Sequence, residues 1–223
     1  NPEIRFQDYK KSFNFWVNNA FVNKIILIEN SNFDLRYFNE VAADIKNKEI
    51  EIISSNSNNE YDKSLGKGYG QYLCLKEIFD QSQIAKTTKY FIDITGRHCV
   101  KNFKAIIKDI IKNESDIYVN ITDNLKFADA NIYGGTKNFF INYLLPETKK
   151  TNDSQNKIFE NCVASATLKA VSDGMSLSKT PIYADIEGFI GTNGKKYKQS
   201  IIKKIKLFFF RKLKIYFFNH KKY

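Results

Sequence analysis

Polar side chains follow three apolar runs in the first half of the chain. They occupy residues 30–32, 54–59 and 95–97, which come directly after the runs KIILIE, IEII and YFIDI. In open α/β sheets, ligands gather beyond the carboxyl ends of the strands, because loops converge there and helix N-termini point free N–H groups outward. The three segments therefore predict a ligand-binding edge of a sheet.

A glycine-rich segment, Gly66-Lys67-Gly68-Tyr69-Gly70, precedes a helical pattern. Its glycines would let backbone approach a phosphate, and Lys67 would neutralise the phosphate charge. The segment matches neither the GxxxxGK[ST] spacing of a P-loop nor the GxGxxG spacing of dinucleotide-binding folds. A flexible loop before a helix explains it at least as well, so the segment alone is weak support for phosphate binding.

The run that ends at Ile94 carries an acid and closes on a Thr-Gly-Arg turn, Thr95 to Arg97, with Asp93 inside the run. An arginine at the end of a strand can bind a phosphate through two parallel hydrogen bonds. The alternative is that Arg97 pairs with an acidic side chain of the next helix. His98 and Cys99 together are too little to indicate a nucleophile and its base.

The elements that would position these residues alternate between strand and helix. Apolar runs predict strands at residues 24–29, 50–53, 90–94 and 117–121, and residues 182–186 complete the body. Helical spacing predicts helices at residues 35–45, 72–79 and 102–112; residues 137–145 are an aromatic-rich helix candidate, and Ala-rich composition favours a helix at residues 157–171. This alternation predicts an α/β fold with a mostly parallel central sheet flanked by helices.

The order of the motifs resembles that of bacterial glycosyltransferases that build lipopolysaccharide and capsule chains. The matching motifs are Glu-Asn-Ser-Asn after the first strand, Gly-Lys-Gly-x-Gly before a helix, Ile-Thr-Gly-Arg after a later strand, and a Gly-Gly-Thr segment. They are short and extend over residues 25–194. Relatives usually carry Glu, Lys and Tyr at the positions that Gln71, Asp93 and His98 occupy here.

The resemblance implies a GT-A-like (Rossmann-like) single domain over residues 1–194 that binds a nucleotide-diphosphate sugar. Lys67 and Arg97 would lie near the diphosphate. The residues near the base and ribose would be Glu29, Asn30, Asn32, Ser54 and Asn56. The other donor-binding residues would be Gly68, Gly70, Thr95 and Gly96. Loops at the donor or acceptor mouth would contain Gly134, Gly135, Thr136, Thr192 and Asn193, although ordinary turns explain these nearly as well.

Many enzymes of the GT-A fold hold a divalent metal through an Asp-x-Asp motif at the strand that residues 90–94 would form. This chain has no Asp-x-Asp, and the single carboxylate of Asp93 is a poor site for Mg²⁺ or Mn²⁺ without help from substrate phosphates. A mechanism without metal, in which Lys67 and Arg97 neutralise the leaving diphosphate, is at least as consistent with the sequence.

Sugar transfer with inversion needs a base that takes the proton of the acceptor hydroxyl, and a carboxylate is the usual choice. The candidates in the second half are Asp129, Glu160, Asp173, Asp185 and Glu187. Glu160 is preferred because it begins an otherwise apolar helix, where loss of hydration would adapt it to proton transfer. The alternative is a carboxylate that only stabilises the helix N-terminus. Asp93 and Glu160 are thus the predicted catalytic residues.

The charge distribution separates a neutral body from a basic tail. The 223 residues carry a formal net charge of +11, yet residues 195–223 hold 11 basic residues and no acid, so the whole excess lies there. A nucleic-acid-binding domain usually spreads basic surface over its folded body, so no nucleic acid partner is expected. Three scattered cysteines and two histidines indicate neither a disulfide framework nor a zinc site.

The tail has a basic amphipathic pattern between residues 200 and 218. The apolar residues that share one side of a helical wheel are Ile202, Ile205, Phe209, Leu213 and Tyr216. Charges interrupt the segment too often for a transmembrane span. The pattern predicts a helix that lies on an anionic membrane, and a helix packed on the body or on a partner is the alternative.

Together these observations predict a glycosyltransferase on the cytoplasmic, inner face of a bacterial cell membrane. It would move a sugar from a nucleotide-diphosphate donor to a lipid-linked or growing surface glycan. The alternatives are a non-catalytic membrane- or nucleic-acid-binding module, and an inactive or truncated transferase. Asn1-Pro2, with no start Met, is expected to be a cut inside a longer protein.

Overall fold

The computed structural model describes residues 2–122, 124–178 and 183–189. The helices are α1 (Pro2–Val17), α2 (Arg36–Asp44), α3 (Lys67–Gln81), α4 (Gln83–Thr87), α5 (Phe103–Asn113), α6 (Lys137–Phe139), α7 (Leu145–Thr148) and α8 (Phe159–Ser172). The strands are β1 (Lys24–Glu29), β2 (Glu49–Ser54), β3 (Tyr90–Ile94), β4 (Cys99–Val100), β5 (Ile117–Tyr118), β6 (Ile121–Thr122), β7 (Phe127–Ala128), β8 (Ile132–Thr136) and β9 (Ile186–Glu187). Short 3₁₀ turns cover Ser57–Asn59, Lys63–Leu65 and Asp153–Gln155, and a π-helical turn, Phe140–Leu144, joins α6 to α7.

Residues 24–54 form a parallel strand–helix–strand unit, as their apolar pattern predicts. β1 pairs with β2 in register from Lys24 opposite Glu49 to Glu29 opposite Ser54. α2 buries Phe38 against Phe13 of α1, with ring centroids 5.3 Å apart in an edge-to-face arrangement. The carboxyl ends of β1 and β2 therefore lie side by side.

The larger sheet is antiparallel, so the prediction of a mostly parallel central sheet is wrong. Its order is β3-β8-β5, and β8 runs antiparallel to both neighbours. Two further pairs, β4 with β9 and β6 with β7, are also antiparallel. Within the described ranges, β1 and β2 form the one parallel pair of strands. The GT-A-like architecture expected from the resemblance is therefore not the topology observed.

The error arises between residues 117 and 136. The run expected as one strand splits into β5 and β6, and β6 forms a hairpin with β7 that returns the chain without a helix. Gly134 and Gly135, expected in a loop, lie inside β8. A Cβ at Gly134 would lie 2.6 Å from the Phe91 carbonyl oxygen, and one at Gly135 would lie 2.6 Å from the Phe139 ring. These glycines therefore permit close packing rather than a turn.

The first helix is held against the segment that follows β3. Ser12 Oγ and Trp16 Nε1 both donate hydrogen bonds to the carbonyl oxygen of His98, at 3.0 and 2.9 Å. The Trp16 ring also packs edge-to-face on Phe103, at the start of α5. His98 is buried, and its Nε2 lies 3.3 Å from the Phe189 carbonyl oxygen, so this histidine has a structural role.

Among the helices just described, none has the combination of length and hydropathy that crossing a bilayer requires. The amphipathic tail predicted for residues 195–223 lies outside the described residues.

Candidate functional site

The segments after β1 and β2 meet, as the sequence predicts. The Ser55 N–H donates to the Glu29 carbonyl oxygen at 2.8 Å, and the Asn58 N–H donates to the Asn30 carbonyl oxygen at 3.1 Å. The Glu29 carboxylate accepts the N–H groups of Ser31 and Phe33, at 2.9 and 2.8 Å. Glu29 therefore shapes the turn that follows its own strand.

The remaining residues assigned to the base and ribose are accessible at this edge. Asn32, Ser54 and Asn56 are exposed, and Asn32 adopts a left-handed backbone with φ of 58°. The Asn56 side-chain oxygen accepts a hydrogen bond from Asn59 Nδ2 at 2.7 Å. Exposed hydroxyl and amide groups at converging strand ends provide both donors and acceptors for a polar ligand.

A carboxyl group with an altered pKa lies between α3 and the larger sheet. Burial raises the pKa of Asp93 to about 6, although hydrogen bonds from Tyr133 and Gln71 oppose the shift. The Tyr133 hydroxyl donates to Asp93 Oδ2 at 2.7 Å. A carboxyl group with a pKa near 6 can accept or release a proton close to neutral pH.

The strand register explains the contact between Asp93 and Tyr133. The two residues are directly opposite each other in the antiparallel β3–β8 pair, so their side chains share one face. Tyr133 is fully buried, and its ring lies 6.3 Å from that of Phe159 on α8. Gln71, on the second turn of α3, hydrogen-bonds to both Asp93 and Tyr133. Gln71 and Asp93 therefore contact each other.

Cys74 connects this cluster to the end of β1. Burial raises the pKa of its thiol to about 12, and the charges of Asp93, Glu77 and Glu29 add to the effect. A hydrogen bond with the Asn30 side chain acts in the opposite direction. Cys74 is therefore a neutral thiol rather than a nucleophile. Its interactions with residues of both strands show that the ends of β1 and β3 lie in the same region.

Each glycine of the GKGYG segment faces another part of the protein at close range. A Cβ at Gly66, where φ is 86°, would lie 1.8 Å from Asp153 Oδ2. One at Gly68 would lie 2.6 Å from Phe159 Cβ, and one at Gly70 would lie 2.9 Å from the Tyr61 hydroxyl. Internal packing thus accounts for all three glycines.

Lys67 and Glu160 lie at neighbouring helix ends. Lys67 is exposed in the first turn of α3, and Glu160 is half-buried in the first turn of α8. Glu160 directly follows Phe159, whose backbone nitrogen would lie 3.3 Å from a Cβ at Gly68. The fold therefore brings a candidate base close to the glycine-rich segment, although 89 or more positions separate them in sequence.

Arg97 lacks the acidic partner that the alternative interpretation requires. Among the residues of the described ranges, no carboxylate lies within 4.0 Å of its guanidinium group. The group lies over the Tyr9 ring, 5.9 Å from its centroid, and its Nε is buried without a hydrogen-bond partner in this part of the chain. Gly96 is also close to Tyr9, since a Cβ there would lie 3.0 Å from the ring. A half-buried cation without a carboxylate is suited to bind an anion.

The predicted mouth residues are not grouped in one loop. Thr136 ends β8 and caps α6, where its hydroxyl accepts the Phe139 N–H at 3.3 Å. Gly134 and Gly135 are buried in β8. Thr192 and Asn193 lie outside the described residues. Of the other acidic candidates, Glu187 is bound by Lys101 and Lys11, whose hydrogen bonds lower its pKa to about 2, so it is unsuited to act as a base.

No metal cluster is formed by the residues that the structure describes, since none of their His, Cys, Asp and Glu side chains come together in a group of three or more. Sequence reasoning did not identify Tyr133 as a partner of Asp93 or Tyr9 as a neighbour of Arg97. The strand register could have suggested Tyr133 only if the antiparallel pairing had been recognised. No local signal points to Tyr9, which lies far away in the sequence.

Comparison with known proteins adds little to this geometry. No family model matches the chain, and no curated protein matches it. Among solved structures, HddC from Yersinia pseudotuberculosis is similar over 66% of this chain and 67% of its own, with 16% identity and a TM-score of 0.36. A similarity of that degree supports no inference about fold or function.

Proposed function

We propose that this protein is a glycosyltransferase that moves a sugar from a nucleotide-diphosphate donor to a glycan or lipid-linked acceptor of the bacterial surface. The observation that carries the proposal is Arg97, a half-buried guanidinium group without a carboxylate partner among the described residues, at the end of β3. A diphosphate would supply the negative charge that this group lacks.

Other residues predicted to bind the donor are exposed. The exposed side chains of Asn32, Ser54 and Asn56 are available to a base and ribose at the ends of β1 and β2. Lys67 is exposed at the positive end of α3 and is available to a phosphate group. The resemblance to surface-polysaccharide glycosyltransferases rests on these same segments.

The proposed reaction uses these groups in one displacement. The acceptor hydroxyl oxygen forms a bond to the anomeric carbon while the bond from that carbon to the diphosphate oxygen breaks. The leaving diphosphate keeps the electron pair, and Arg97 and Lys67 stabilise its charge. The hydroxyl proton passes to the Glu160 carboxylate, and Asp93 is a second group that can hold a proton near neutral pH. In this proposal the body works at the inner face of the cell membrane, with residues 195–223 in contact with anionic lipid.

The test is donor binding. We expect one of UDP, GDP, CDP or dTDP to bind the full chain in titration calorimetry and to raise its melting temperature, with or without Mn²⁺. Arg97→Ala should weaken that binding at least tenfold. Arg36→Ala is the matched control, because its side chain is 86% exposed and pairs with Asp34, and it should bind like the wild type.

Two results would overturn the proposal. One is that none of the four nucleotides binds, at millimolar concentration, to a chain that is folded by circular dichroism. The other is that Arg97→Ala and Arg36→Ala bind the same nucleotide equally well. Either result would favour a non-catalytic binding module or an inactive transferase.

A further inference from the structure

The outward side of α5 carries a row of cations. Lys104, Lys108 and Lys112 follow one another at intervals of four residues and are exposed, and Ile111 lies among them. At about 100° per residue these four side chains span roughly 100° of the helix surface, opposite the fully buried Ile106. Within the described ranges none of the three lysines forms an ion pair. We call these four residues the α5 strip.

Apolar side chains are exposed on and beside the α5 strip. Ile111 is 69% exposed, the highest value among the exposed large hydrophobic side chains of the described residues. Phe21 is 42% exposed, and the Lys104 ammonium group lies 5.1 Å from the centroid of its ring. Behind Ile111, a groove of about 430 Å³ between α5 and β3 is lined mainly by apolar side chains. These belong to Tyr90, Ile92, Ile107 and Ile110, and Glu114 and Ser115 complete the lining. Cationic and apolar groups therefore share one surface.

We propose that the α5 strip, with Phe21, is a contact surface for an anionic lipid bilayer. Lysines near a bilayer attract anionic headgroups, and exposed aliphatic and aromatic side chains enter the headgroup region. A lysine near the surface contributes about a fivefold gain in membrane partitioning. The surface belongs to the folded body and is independent of both the tail and the transferase reaction.

The apolar residues favour a bilayer over nucleic acid. A nucleic acid backbone attracts the lysines equally well, but the exposed Ile111 gains nothing from phosphate contacts. In a bilayer, Ile111 and Phe21 leave water for the headgroup region, which adds to the attraction of the three lysines. The strip is about 12 Å long from Lys104 to Lys112, so it orients the body on the surface rather than inserting a whole helix.

The experiment measures partitioning of the full chain between buffer and vesicles. One set of vesicles contains phosphatidylcholine with about a third phosphatidylglycerol, and the other contains phosphatidylcholine alone. The test variant is Lys104→Glu/Lys108→Glu/Lys112→Glu. The control is Lys46→Glu/Lys86→Glu/Lys149→Glu, which changes the net charge equally at exposed lysines on other elements. Ile111→Ser is a third variant, which leaves the charge unchanged.

We expect the α5 variant to lose at least tenfold more partitioning into anionic vesicles than the control, and Ile111→Ser to lose about two- to fivefold. All variants should keep the wild-type circular dichroism spectrum, since the changed residues are exposed. Equal losses in the α5 variant and the control would overturn the proposal. It would also be overturned if the wild type bound a 20-base-pair DNA duplex more tightly than anionic vesicles, with Ile111→Ser indistinguishable from wild type in both assays.

Discussion

The side chains of Gln71 and Asp93 are hydrogen-bonded to each other between α3 and β3. An acid on the helix and a cation on the strand would attract each other, whereas an acid at both positions would place two negative charges in a poorly hydrated layer. An amide opposite an acid avoids that repulsion. Gln71 and Asp93 are therefore electrostatically coupled.

The coupling predicts a specific pattern in a double-mutant cycle. Gln71→Glu alone should destabilise the fold by about 2 kcal/mol, because it places a second carboxylate beside Asp93. Gln71→Glu combined with Asp93→Lys should recover at least about 1 kcal/mol of that loss, since it places opposite charges at the two positions. Urea unfolding of the wild type, both single variants and the double variant gives the coupling energy. Strictly additive effects would show that the two side chains act independently.

The raised pKa of Asp93 predicts how stability depends on pH. The folded state holds this proton more tightly than the unfolded chain, whose pKa is near 3.8. The contribution of this group to stability is therefore fully present below about pH 4 and is lost as the pH rises through about 6. The loss at pH 7 amounts to at most about 3 kcal/mol. In Asp93→Asn this decline should be absent, and unfolding curves at pH 4 and pH 7 provide the comparison. If the wild type and Asp93→Asn lost the same stability between pH 4 and pH 7, Asp93 would not be the group responsible for the decline.

The pKa of Glu147 is shifted in the opposite direction, so its contribution to stability depends on pH in the opposite way. Burial alone would raise its pKa, but hydrogen bonds from Lys150 and Lys169 outweigh burial and lower the pKa to about 2. This contribution to stability is present above about pH 4.5 and is lost as the pH falls toward 2. Glu147→Gln should therefore cost about 2 kcal/mol at pH 7, after allowance for solvent around the two half-exposed lysines. The difference from wild type should shrink at pH 3, which chemical denaturation would measure.

Gly70 and Tyr61 provide a test of close packing. Gly70→Ala should destabilise the fold by about 1 kcal/mol, because the new Cβ would lie 2.9 Å from the Tyr61 hydroxyl and outweigh the helix-forming advantage of alanine. In a Tyr61→Phe background the hydroxyl is gone and the next ring atoms lie at 3.4 Å, so the same substitution should become neutral or stabilising. Melting temperatures of the wild type, the two single variants and the double variant test this prediction. An unchanged effect of Gly70→Ala in the Tyr61→Phe background would exclude this contact as the reason for the glycine.

The sequence was sufficient to predict the β1–α2–β2 unit and the meeting of the segments after Glu29 and Ser54, because both follow from local periodicity and parallel pairing. The sequence was not sufficient to predict that β8 is a strand. Gly134 and Gly135 suggest a loop by their backbone preference, yet the carbonyl groups that leave no room for a larger side chain belong to Phe91 and Asp116, which are distant in the sequence. Two-residue strands such as β6 and β7 are too short to show a period, so the direction of the returning chain could not be predicted. Because the antiparallel pairing of β3 with β8 was not predicted, the contact between Tyr133 and Asp93 was not predicted either.

The attachment of α1 has a consequence for folding during synthesis. Ser12 and Trp16 bind the carbonyl oxygen of His98, and Lys11 forms an ion pair with Glu187, 176 positions later in the chain. These polar partners of α1 lie 82 to 176 positions after it in the sequence, and contacts over such separations form slowly. The apolar side of α1, which includes Phe13 and Val17, finds its partners much earlier, in Phe38 of α2 and in the side chains of β1 and β2. Packing of α1 on the β1–α2–β2 unit should therefore precede its attachment to the segment after β3.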